Sequence, residues 1–132
     1  MPVKFTRTQA QSFPRRIVHV PVDYVPGPDD TFPEFHAVAT LREFSGADRA
    51  TFAGTVLVPL PDGSRKIDEL QAQAGLVARC WIDPDTGERQ YADDEVAMLA
   101  GDLPASVLGK LLTAAQKLNG LLPDTVEQAE KN

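Results

Sequence analysis

Val107, Leu108, Leu111, Leu112, Ala115 and Leu118 recur at helical spacing, and Lys110, Gln116 and Lys117 fall elsewhere on the wheel. The pattern predicts an amphipathic helix, opened near Pro104 and stopped at Asn119-Gly120. Gly109 inside it costs about 1 kcal/mol against Ala, so either two backbones approach closely there or the helix is weaker than its pattern suggests. Upstream, Asp93-Asp94-Glu95 predicts a short helix with Asp93 as N-cap and acids against the positive helix end. Gly101 is expected to close it as a left-handed cap. Asp83-Pro84-Asp85-Thr86-Gly87 predicts a tight turn. Trp81, just before it, reads as an anchor packed under the two helices.

The first half alternates instead. Arg16–Val22 is rich in β-branched residues, and Pro21 restricts it to an edge strand. Residues 23–33 hold four Pro/Gly breakers (Pro26, Gly27, Pro28, Pro33) and predict a loop. Glu34–Arg42 alternates and suits an antiparallel partner strand. Ser45, with Asp48 three residues on, imitates a capping box and opens a helix to about Leu57, which Pro59 and Pro61 end. Pro61-Asp62-Gly63 predicts a turn. Ser64 is then expected to cap a helix burying Ile67, Leu70, Ala74 and Val77. Leu76–Ile82 fits either helix or strand, and a short pairing across 83–87 is open.

The expected fold class is α+β: an N-terminal two-stranded antiparallel ribbon followed by about four helices, mostly helical. The 132 residues make one domain. It divides into a mobile arm at 1–14, the ribbon at 15–43, a helical body at 44–122 and a frayed acidic tail at 123–132.

Composition narrows the function. An apolar share of 42% is ordinary for a globular chain. Cys80 is the only cysteine, so no internal disulfide forms, which fits a reducing compartment. No leader pattern is present, and no apolar run approaches the roughly 20 residues of a membrane helix. A soluble, cytoplasmic protein is expected, with no membrane partner. The net charge of −6 argues against a general nucleic-acid binder. Charge is also uneven. Residues 1–22 carry Lys4, Arg7, Arg15 and Arg16 and no acid. From Asp83 to Asp102 the acids Asp83, Asp85, Glu88, Asp93, Asp94, Glu95 and Asp102 face one base, Arg89. These are either two solvated surfaces or a basic head that meets another copy's acidic side.

No reaction centre emerges, and neither a cofactor nor a metal is expected. Asp83-x-Asp85-x-Gly87 superficially resembles a calcium loop, but the Gly comes one position early and position twelve is Asp94. His19 and His36 face each other if the strands pair so, yet two imidazoles alone do not make a zinc site. Cys80 has no nearby His and reads as a small buried residue. Phosphate loops, dinucleotide turns and nucleophile elbows are absent. Ala97, Gly101 and Val107 have helix-turn-helix spacing, but Leu103–Leu112 offers DNA only Ser106 and Lys110. The candidate partner contacts are Arg15, Arg16, Val18 and Val20 on the basic edge strand, with Leu121 and Leu122 past the last helix. The alternative for the Leu pair is a hydrophobic contact of Schellman type.

Three stretches, A-R-C-W-I-D-P-D-T-G-E, Y-A-D-D-E-V-A-M-L and L-L-T-A-A-Q-K-L-N-G-L, occur in that order, with the tail E-Q-A-E-K-N. Together with I-V-H-V-P-V and P-E-F-H-A-V-A-T-L-R-E-F-S-G-A-D-R, they resemble the tail assembly chaperones of long-tailed bacteriophages and prophages. The resemblance covers most of the chain. It implies a protein of the host bacterial cytoplasm, absent from the mature virion, which self-associates in curved or spiral assemblies. It implies binding to the long, helical, aggregation-prone tape-measure protein and recruitment of the tail-tube protein. In many such phages a ribosomal frameshift near the gene's end appends a second domain, and Lys131-Asn132 admits the slippery codons A-AAA-AAC. A virion connector and, behind it, a helix-turn-helix regulator are the competing expectations.

Overall fold

The hairpin at the centre of the fold takes its register from alternation. In the computed structural model, which describes residues 3–121, β1 (Ile17–Tyr24) pairs antiparallel with β2 (Phe35–Arg42) from Ile17 opposite Arg42 to Tyr24 opposite Phe35. Val18, Val20 and Val22 therefore share a face with Leu41, Ala39 and Ala37, and this face turns inward. A short third strand, β5 (Trp81–Ile82), pairs with Thr40 and Leu41, so the sheet runs β1-β2-β5 and β1 has a free edge.

The other elements are α1 (Arg7–Gln11), α2 (Gly46–Val56), β3 (Leu57–Pro59), β4 (Arg65–Ile67), a π-helical stretch (Gln71–Gly75), α3 (Leu76–Cys80), a 3-10 turn (Asp93–Glu95), α4 (Val96–Asp102) and α5 (Ala105–Leu118). Leu41, Leu76, Leu99 and Leu111 are fully buried, one each from β2, α3, α4 and α5. Burying each such side chain contributes about 1.5–3 kcal/mol, so this junction carries the core. α5 lies across the inner face of the hairpin and against α3. Leu111 and Ala115 are its buried centre, flanked by half-buried Val107, Leu108, Leu112 and Leu118.

The expected fold class is overturned. Instead of a two-stranded ribbon and about four helices, mostly helical, the described residues form five helices and two small antiparallel sheets, with 44% helix and 21% strand, and a helix comes first. Each departure has a local cause. Thr6 and Gln9 form a reciprocal capping box that starts α1 inside the segment read as an arm. Leu57–Pro59 and Arg65–Ile67 pair as a hairpin, because Gly63 at φ +88° and Asp62 Oδ1, accepting the Ser64 N–H at 2.9 Å, close the turn between them. Ile67 is therefore an exposed strand residue and not a buried helical one. The π stretch adds a residue to the turn ahead of α3, and residues 74–78 are consequently buried in one run. The Ser45–Asp48 box opens α2 as the pattern predicts, with both reciprocal bonds in place at 3.1 and 3.2 Å.

Candidate partner-binding groove

An open groove of about 690 Å³ runs between β1 and α5. Consecutive residues Val18, His19, Val20 and Pro21 line one wall, although their side chains alternate in direction. This places the groove along the free backbone edge of β1. The other wall is one helical stripe: Lys110, Thr113, Ala114, Lys117 and Leu118, at spacings of three and four. Val18, Val20, Ala114 and Leu118 form an apolar floor. Arg16, Lys110 and Lys117 stand at the rim, and no carboxylate lines the groove. None of the three side chains has an acidic partner among the described residues. Exposed cations around an apolar floor suit a partner that is amphipathic and acidic.

The expected contact residues divide. Arg16, Val18 and Val20 line the groove, with Val20 sunk into the core and Val18 half-buried. Arg15 turns away to Asp48 at 3.4 Å. Leu121 is spent on closing α5: its N–H donates to Gln116 O at 2.7 Å, and the Gly120 N–H donates to Lys117 O at 3.3 Å, with Gly120 at φ +68°. This is a Schellman motif, and Leu121 packs against the core. Leu122, the acidic tail and the Lys131-Asn132 end lie outside the described residues. The α5 wall was missed by sequence reasoning. Its signal was present, since Lys110, Thr113 and Lys117 share the helix side next to the apolar face.

The other candidate residues have structural occupations. His19 pairs with Thr40 and His36 with Asp23, so the two imidazoles are four rungs apart and do not face each other. His19 Nδ1 lies 3.1 Å from Thr40 Oγ1, and His36 Nδ1 lies 2.7 Å from Asp23 Oδ1. Asp83 Oδ1 accepts its own loop's Asp85 N–H at 2.8 Å, which makes it a turn former. Gly87, at φ +75°, completes that turn, and Ile82 bridges to Arg89 beyond it. Asp93 is not the expected N-cap. It lies 3.5 Å from Arg79 Nη2 and 2.7 Å from Arg89 Nη2, while Glu95 Oε1 accepts the Ala92 N–H at 2.9 Å. The Arg89 contact is off the hydrogen-bonding line and is ionic, leaving that buried nitrogen without a directional acceptor. Gly101 is helical and not left-handed. Trp81 is half-buried against Tyr91, ring centres 5.6 Å apart.

Burial, partly offset by the Asn119 amide, pushes the Cys80 thiol up to about 11, which keeps it protonated at neutral pH. Asp48 goes the other way. Burial opposes its charge, but bonds from Ser45 and the Arg15 and Arg79 charges outweigh burial and hold the carboxyl below its ordinary range. Among the described residues no helix is long and apolar enough to cross a membrane. No protein-family model, curated protein or solved structure matches the chain.

Proposed function

We propose that this chain is a phage tail assembly chaperone, made in the bacterial cytoplasm, which self-associates, binds the tape-measure protein and keeps it soluble, and helps recruit tail-tube subunits. The observation that carries the reading is the β1–α5 groove, whose apolar floor sits inside a basic rim that has no acidic partner among the described residues. A long helical client presents amphipathic segments, and a groove of this kind takes such a helix by its apolar face while the rim selects acidic flanks. Hold-and-release needs many weak contacts of this type and no chemistry. The choice of client rests on the sequence resemblance, and the groove's apolar floor and basic rim support a client of that chemistry.

The test is co-expression with the tape-measure protein of the same genome, followed by titration of its acidic helical segments. The wild type keeps the client soluble and binds those segments. Lys110→Glu/Lys117→Glu, on solvent-facing positions, binds at least tenfold more weakly while its circular dichroism is unchanged. Equal binding by wild type and variant, or failure of the wild type to bind, overturns the reading. Persistence of the chain in purified particles would point to a connector, and salt-sensitive retention of DNA to a regulator.

A further inference from the structure

Two other surfaces each have what the other lacks. The first is the N-terminal arm. Phe5 and Phe13 flank α1, meet edge-to-face at 5.8 Å, and are 68% and 67% exposed. The Thr6–Gln9 capping box holds them on a defined turn, so the pair is a preformed knob. Lys4 and Arg7 beside it have no acidic partner among the described residues, and residues 3–16 contain no acid.

The second is a hollow of about 480 Å³ at the far end of the hairpin. Tyr24, Phe32 and Phe35 form one wall, with ring centres 5.3 and 6.5 Å apart in edge-to-face contact. Leu103, Pro104 and Val107 form the other. Phe32 remains 60% exposed. The hollow's charged residues are Asp23 and Asp102, and no cation lines it. Tyr91 holds Asp102 by donating its hydroxyl at 2.8 Å.

We propose that the Phe5–Phe13 knob of one copy docks in the Tyr24–Phe32–Phe35 hollow of the next. Aromatic rings favour edge-to-face contact at about 4.5–7 Å, a geometry the hollow already displays on both sides of Phe32. The charges complement: Lys4 and Arg7 arrive at Asp23 and Asp102. The arm joins β1 at Ile17, and the hollow's lining begins at Val22, about 17 Å further along the strand at roughly 3.3 Å per residue. Knob and hollow are two different surfaces of one molecule, so the contact is heterologous and can repeat from copy to copy. Each large ring brings about 150–250 Å², so one knob falls short of the roughly 1,200–2,000 Å² of a stable interface. A single link is weak and concentration-dependent. The inference rests on the self-association in the proposed function and not on the client.

Sedimentation velocity of the full chain tests it. The average mass of the wild type rises with concentration and falls back as salt is added. Phe5→Ala/Phe13→Ala lacks the knob, and Phe32→Ala/Phe35→Ala lacks the hollow. Each stays monomeric where the wild type has at least doubled in mass, and an equimolar mixture stops at a one-to-one pair. Lys4→Glu/Arg7→Glu, on the exposed arm, weakens association at least tenfold and guards against misfolding of the hollow variant. A wild type that is monomeric throughout, a knob variant that assembles normally, or a mixture that does not pair overturns the proposal. Both aromatic variants retain the β1–α5 groove, so a wild type that captures the client without assembling overturns only the knob-and-hollow contact, and a wild type that assembles without capturing the client overturns only the chaperone reading.

Discussion

Asn119 Oδ1 accepts the backbone N–H of Phe44 at 2.8 Å across 75 residues of chain. The same side chain donates to Ala115 O at 2.9 Å and to Cys80 Sγ at 3.4 Å, and the main-chain carbonyl of Asn119 accepts from Arg49 at 3.4 Å. One amide thus ties the end of α5 to the β2–α2 junction and to the end of α3. Replacing it with Ala leaves a half-buried N–H without an acceptor. Asn119→Ala is expected to destabilise the fold by about 2–3 kcal/mol, as a lower urea midpoint at unchanged slope.

Two glycines of α5 and its cap should respond in opposite directions. A Cβ at Gly109 would meet nothing within 4 Å, so no close approach requires the glycine there. Gly109→Ala should stabilise by about 0.5–1 kcal/mol. Gly120, at φ +68°, closes the Schellman motif, and Gly120→Ala should destabilise by about 1 kcal/mol. Thermal melts of the two variants check both signs.

Alkaline pH should weaken the fold through Cys80. Its folded pKa, raised from 9.0 to about 11 by burial, lies above the unfolded value. The folded state therefore holds its proton longer. The associated stability is intact below about 9, is lost as pH rises towards about 11, and amounts to roughly 2–3 kcal/mol. Cys80→Ala should flatten that part of the pH profile of urea midpoints. Asp48 has the opposite sign: its depressed pKa contributes stability at neutral pH, which is lost as pH falls below the ordinary value of 3.8. The difference between wild type and Asp48→Asn should disappear in acid.

Arg79 depends on Asp93. The Arg79 side chain is only 7% exposed, whereas Asp93 is 56% exposed. Asp93→Ala removes the nearest carboxylate from both Arg79 and Arg89. Because water reaches the acid, the cost should be about 1–3 kcal/mol, less than for breaking a fully buried pair. Chemical denaturation of Asp93→Ala, with Arg89→Ala and the double variant to close the cycle, measures it.

Elements with both a period and a stop signal were legible. The apolar stripe from Val107 to Leu118 with Asn119-Gly120, the Ser45–Asp48 box, and the alternating hairpin all appear in the structure. Short strands fixed by their pairing and not by a period were left open, as at Leu76–Ile82, or missed, as at Leu57–Pro59. Trp81–Ile82 is a strand only because Thr40 and Leu41 pair with it, and Leu57–Pro59 only because Arg65–Ile67 returns beside it. Asp93 looked like a cap because two arginines that claim it, Arg79 and Arg89, are brought together by folding. For the groove, Arg16, Val18 and Val20 were visible as a basic strand edge, but its α5 wall was read only for the face it buries.

The π-helical stretch at Gln71–Gly75 makes chain length negotiable at one place. Such a turn is an α-helical turn with one residue to spare. Removing Gln73, which faces solvent, would let the segment rewind as ordinary α-helix. Because the spare residue sits within a single widened turn, its loss leaves the chain direction on either side as it was. A one-codon deletion here is thus the kind of length change the packing on both sides of Leu76 can absorb.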